Sequence, residues 1–110
     1  MKRDMNLIRG LLLAAENGDL DEFAKGRDQD EVVYHCRLLS EAGFIEGRPT
    51  AGNGFLFLKI TWDGHDFLDS IRADNIWRET QEKLEKVGGS VALDTVKAVA
   101  AAVTVKLLGL

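Results

Sequence analysis

His35 and Cys36 stand side by side, and a thiolate paired with an imidazole would be a nucleophile. On a helix, however, neighbouring side chains point about 100° apart and cannot form that pair. The pair therefore reads as a core cysteine and a histidine on the helix surface. The other histidine, His65, has no HxxxH, HExxH or paired-cysteine spacing around it, so neither a metal site nor a cofactor is expected. Asp63, Asp66 and Asp69 recur every third residue, a spacing that lines carboxylates along a helix for acid-base work. With no partnering base or pocket glycines beside them, they read as a solvated acidic ridge. Gly52, Asn53 and Gly54 precede no helix start and so make no phosphate cradle. No catalytic residue is assigned, and no enzyme is expected.

Nucleic acid is the next chemistry to weigh. A helix around residues 30–42 would turn Val33, Tyr34, Arg37 and Glu41 away from the core, with Arg48 and Lys59 flanking a hairpin behind it. Tyr34, Arg37, Arg48 and Lys59 are the candidate DNA contacts, because a phenol, guanidinium or ammonium can meet phosphates or base edges. Asp28, Asp30 and Glu31 oppose them at the start of that helix, the part a helix-turn-helix points into the groove. The formal charge of -4 likewise supplies no general attraction to a phosphate backbone.

These side chains need elements to carry them. The central element is the helix itself, where Val32, Cys36 and Leu39 recur at helical spacing, Leu38 and Ala42 widen the stripe, and Gly43 supplies the left-handed stop. Phe44 and Ile45 then open a strand. Upstream, Met5, Ile8, Leu12 and Ala15, with Leu11 beside them, predict a helix over 4–17, capped by Asp4 and stopped by Gly18. The interval 19–29 holds the apolar anchors Leu20 and Phe23 and the breaker Gly26. It has room for a two-turn helix with a tight turn, or for a short strand and a loop.

Downstream, the stretch 48–54 carries the one proline with two glycines and an asparagine, and predicts the tip of a hairpin. Residues 55–61 predict its second strand, apolar on both faces and so covered on both. Thr61 is placed to cap a helix from Trp62 with Asp63 in its first turn and Phe67, Leu68 and Ile71 on its buried face. Beyond it, either the helix breaks near 73–75 with Asp74 capping a new one, or a single long helix is gripped on two faces. Ser90 is then read as the cap of a last helix, Val91 to Leu108, with Val96, Val99, Ala100, Val103 and Leu107 in one stripe. Its alanine-rich opposite side is nearly as apolar, so those five residues are read as the contact of a homodimer.

The run from His35 through Leu39, Ala42 and Gly43 to Ile45 resembles the end of the recognition helix in bacterial winged-helix repressors of the arsenic-repressor type. Ile60, Thr61, Gly64, Phe67 and Leu68 resemble the junction between wing and fourth helix in multidrug-type regulators. The whole chain, from its opening residues 1–9 through Tyr34 and His35, Thr61 to Trp77, and the ending at 106–110, resembles the bacterial and phage family called domain of unknown function 2513. The first two resemblances imply a winged helix, and the third carries no assigned activity or catalytic residues.

A chain of 110 residues, 45% of them hydrophobic, fits one globular domain. The expected fold class is α+β, mainly α: a winged helix-turn-helix core over 1–73 with a C-terminal helical extension over 74–110. One cysteine excludes an internal disulfide and suits a reducing cytoplasm. No apolar run is long and uncharged enough for a signal peptide or a membrane span. The function expected is a small DNA-binding transcriptional regulator of bacterial or prophage origin; the alternative is a winged-helix module that binds protein and no DNA.

Overall fold

The computed structural model describes residues 1–88 and 91–109. The chain divides into two units, Met1–Leu68 and Asp69–Leu110.

The first unit opens with α1, Met5–Asn17. Its orphan N–H groups explain the start: the Asp4 carboxylate accepts from Asn6 N at 2.9 Å and Leu7 N at 3.3 Å. Its core face is Leu7, Ile8, Leu11, Leu12 and Ala14. The interval that followed two readings in sequence contains a helix of five residues, α2, Leu20–Ala24. It is shorter than the two turns the interval could hold. No side chain caps it, so nothing local extends it.

The third helix, α3, spans Gln29–Glu41, and Asp28 caps it by accepting from Glu31 N at 3.2 Å. It ends in a Schellman motif: Gly43 has φ 80°, its N–H bonds Ser40 O at 3.0 Å, and Phe44 N–H bonds Leu39 O at 2.9 Å. Val32, Cys36 and Leu39 are buried as their spacing predicts. The rest of the stripe is corrected. Ala42 is exposed and Leu38 half-buried, while Val33 and His35, both expected to face outward, are buried.

Strands β1, Ile45–Thr50, and β2, Gly54–Ile60, form one antiparallel ribbon. Ile45 pairs with Ile60 and Thr50 with Gly54, with a register shift after Glu46 that leaves Leu58 without an opposite residue. The turn is therefore only Ala51, Gly52 and Asn53, not the whole of 48–54. Pro49 sits inside β1 because each strand of a two-stranded ribbon is an edge strand. The expectation that both faces of β2 are covered also needs correction within this chain. Phe55 and Phe57 are half-buried, but Leu56 is 42% and Leu58 62% exposed.

Thr61 joins the ribbon to α4, Trp62–Ile71. Its hydroxyl accepts from Gly64 N at 3.0 Å, which caps the helix, and donates to Gly43 O at 2.6 Å. Its own N–H bonds Phe44 O at 3.0 Å. The end of α3 is thus fastened to the start of α4. Phe44 and Phe67 stack beneath this junction with centroids 4.7 Å apart. Gly64 is required there: a Cβ would lie 1.9 Å from Phe44 O.

In the second unit the chain breaks after α4, as one of the two readings had it. Helix α5, Asp74–Glu85, is capped by the backbone at Ala73. Asp74 is thus the first helical residue and not the cap, yet its carboxylate still meets the positive helix end. Ile76, Trp77 and Thr80 are its buried residues. Helix α6, Leu93–Leu107, packs on α5 and buries Val96, Ala100 and Val103. Lys106 reaches Glu79 at 3.6 Å. Ala92 is the N-cap, so α6 starts two residues after the predicted Val91; Ser90, the predicted cap, lies outside the described residues. The fold class is α+β and mainly helical: among the described residues, six helices and one hairpin.

Candidate nucleic-acid interface

Helix α3 carries Tyr34 and Arg37 one turn apart, and Arg37 is exposed. Tyr34 is half-buried, its ring edge-on to that of His35 at 5.2 Å and 84°. Val33, expected beside them, is turned inward and 5% exposed. Arg48 is exposed on β1; Lys59 is exposed on β2, 3.9 Å from the Glu46 carboxylate that pairs with it across the ribbon. No hydrogen bond or ion pair joins the four candidates among the described residues. They form two presentations, one on the helix and one on the ribbon.

A contact that sequence reasoning missed relates those two. Gln29 Nε2 donates to Asn53 O at 2.9 Å, and Asn53 Nδ2 donates to the Asp30 carboxylate. The hairpin turn is thereby held against the first residues of α3. The signal was Asn53 itself: flanked by glycines, it takes φ 58°, a conformation asparagine tolerates better than most residues. The acidic start of α3 is correspondingly occupied, since Asp28 caps the helix and Asp30 receives the Asn53 amide.

His35 is a fixed structural group. It is fully buried, its Nε2 accepts from Asp4 N at 2.7 Å, and its Nδ1 lies 2.7 Å from Glu31 O. Because the Asp4 amide can only donate, the ring proton is placed on Nδ1, where it donates to the carbonyl. His35 thus ties the start of α1 to α3. The surface placement expected from sequence is overturned by a partner 31 residues away. Its spacing did carry a hint, being three residues after Val32 and four before Leu39, both buried.

Cys36 is buried, and burial pushes its thiol from 9.0 up to about 11, which keeps it protonated and unreactive at neutral pH. His65 is exposed and 3.9 Å from Glu16. Asp63, Asp66 and Asp69 are exposed, and Asp69 pairs with Arg72 at 2.8 Å. Among the described residues, no three His, Cys, Asp or Glu side chains gather as a metal cluster. No described helix is long and apolar enough to cross a membrane.

The five residues expected to form a dimer contact divide in two. Val96, Ala100 and Val103 are already buried within one chain, Val99 is half-buried, and Leu107 is 51% exposed.

Residues 2–90 match the family model described as Hypothetical protein (DUF2513). An "Uncharacterized protein" of Haemophilus influenzae is 32% identical over 117 residues, covering 98% of this chain and 99% of that relative. No solved structure matches the chain.

Proposed function

The chain belongs to the DUF2513 family, and from that premise we propose that Met1–Leu68 is a winged-helix module with which the protein binds duplex DNA as a small bacterial or prophage regulator. Three helices followed by a hairpin is the winged-helix order, with α3 as the recognition helix and β1–β2 as the wing. One observation carries the reading. Arg37 on the helix and Arg48 on the wing are exposed, and neither meets a carboxylate among the described residues. Lys25 and Lys59, by contrast, are paired with Glu22 and Glu46. Two unneutralised guanidinium groups in an acidic protein suit an anionic partner that accepts two hydrogen bonds from each, as phosphate does.

The test is fluorescence anisotropy of labelled duplex DNA across a salt series. Each phosphate contact contributes about 0.9 to the slope of log K against log salt, so two per chain give a slope of about -1.8. Arg37→Ala with Arg48→Ala should remove that slope together with the binding. Unchanged binding in the double variant, or none from the native protein at low salt, ends the proposal.

A second reading, a module that binds protein and no DNA, is favoured by Leu56, Leu58 and Trp62, exposed by 42%, 62% and 88% on β2 and at the start of α4. For the homodimer, the surface available on α6 is the alanine side, where Ala98, Ala101 and Ala102 are exposed beside Val105. Small residues let a second helix approach closely. Ala101→Glu should convert a dimer to a monomer in sedimentation velocity, and a native monomer would exclude the pairing.

A further inference from the structure

A cavity of about 460 Å³ opens between α2, α3 and β2, entirely within the first unit. Its floor is the buried face of α3 at Val32, Val33 and Cys36, and its walls include Ala24 of α2 and Phe55 and Phe57 of β2. Helix α2, five residues long, ends at Ala24 in the wall of this space. So short a helix leaves the inward aromatic rings of β2 half-covered. The volume falls within the range of about 300–1,000 Å³ typical of small-molecule sites, and the combination of apolar lining with a few polar groups is theirs too.

The mouth has a sign. Among the lining side chains Lys25 and Arg27 outnumber Asp21, in a chain of net charge -4, and Glu22 offsets Lys25 from outside the lining. Arg27 is held in place: its Nε–H donates to Phe23 O at 3.2 Å, and its guanidinium lies over the Phe23 ring at 4.2 Å from the centroid. That arrangement leaves the two Nη groups as donors. Lys25 pairs with Glu22 at 2.8 Å, but both side chains are more than 70% exposed, so the pair is weak and exchangeable.

The geometry points to a binding site for a small amphipathic monocarboxylate, its chain or ring against Phe55 and Phe57 and its carboxylate at Arg27 and Lys25. This site stands apart from the proposed DNA contacts, since neither Arg37 nor Arg48 lines it. A methylene moved out of water is worth about fourfold in affinity. Affinity therefore rises about fifteenfold from octanoate to decanoate, and the carboxylate adds a preference over the alcohol of equal length.

The experiment titrates the ¹⁵N-labelled full chain with octanoate, decanoate and decanol below their aggregation limits, following amide shifts. Saturable shifts at Ala24, Val33, Cys36, Phe55 and Phe57 are expected, with decanoate at least tenfold tighter than decanol. In Lys25→Gln with Arg27→Gln, both at exposed positions, decanoate should fall to the affinity of decanol, with the amide spectrum of the free variant otherwise unchanged. Ala24→Trp, which fills the space, should abolish both. The inference is overturned if no pocket amide shifts saturably with decanoate, if the shifts centre on Leu56 and Leu58 outside the pocket, or if the double variant keeps the preference for the carboxylate.

Discussion

Replacing Gly64 with alanine sets helix propensity against packing, and the structure says which wins. Gly64 lies in the first turn of α4, and alanine is favoured over glycine inside a helix by about 1 kcal/mol. On propensity alone the variant would be more stable. The added Cβ, however, would stand 1.9 Å from Phe44 O, with Phe44 C and Ile60 Cγ2 each at 2.8 Å. A carbon meets a carbonyl oxygen comfortably at about 3.3 Å, so one backbone segment must shift by more than 1 Å. Phe44 O cannot move alone, because it accepts Thr61 N–H while Gly43 O accepts the Thr61 hydroxyl. Overpacking costs about 1–3 kcal/mol, and two hydrogen bonds disturbed add about 1 kcal/mol each. Set against the propensity gain, the net loss is about 3 kcal/mol. Urea unfolding followed by far-UV circular dichroism reads this directly: with m near 1–3 kcal/mol/M, the midpoint falls by about 1–3 M. A Gly64→Ala protein as stable as the native one would refute the junction described for Gly43, Phe44, Thr61 and Gly64.

Three further outcomes follow from buried groups. His35→Leu keeps the bulk but strips a partner from Asp4 N–H and from Glu31 O, and should cost about 2–3 kcal/mol in the same unfolding assay; a loss below 0.5 kcal/mol would mean that water replaces the ring at no cost. Burial raises the Cys36 thiol to about 11 from 9.0, so the native state holds its proton more tightly than the unfolded chain does. That contribution, about 3 kcal/mol, is complete below pH 9 and is lost as pH rises towards 11, so the stability difference between the native protein and Cys36→Ala should narrow across that window and stay flat below it. Thr80→Val should leave stability unchanged or raise it by about 1 kcal/mol, because Thr80 Oγ1 is buried without a hydrogen-bond partner among the described residues; a clear loss in the thermal midpoint would reveal a bond to that hydroxyl.

The parts of the fold that were legible in the chain are those decided within one turn of it. Asp4 and Gly18 bracket α1, Gly43 ends α3, and Thr61 starts α4, because caps and left-handed stops depend on neighbours close in sequence. What was not legible depends on partners far along the chain. Val33 looks solvent-facing on a helical wheel until β2 returns against α3. The inward place of His35 needs Asp4, and the shortness of the turn at 51–53 needs a ribbon whose edges tolerate Pro49. Of the candidate interface, residue types pointed to Arg37 and Arg48, and both are exposed. The tie from Asn53 to Gln29 and Asp30, which holds the hairpin beside the helix, lies in no motif.

Electrostatics limits how that interface can work. Met1–Leu68 carries eight Lys and Arg against twelve Asp and Glu, so the unit proposed to meet DNA is itself acidic. Long-range repulsion therefore opposes approach, and affinity must come from contacts within a Debye length, about 8 Å at physiological salt. Two guanidinium groups on phosphates position a duplex without reading it. Tyr34 is what remains among the proposed contacts to read bases, and its ring is half-buried against His35. A single copy so equipped would bind weakly and discriminate little. A pair joined through α6 would double the contacts, and modules of this kind gain specificity where two recognition helices reach half-sites about 34 Å apart. The salt slope then counts copies as well as contacts. A value near -1.8 means one chain on the DNA, and one near -3.6 means two. If the slope stays at the single-chain value while sedimentation shows a dimer, the second copy faces away from the duplex, and the α6 pairing serves some other end.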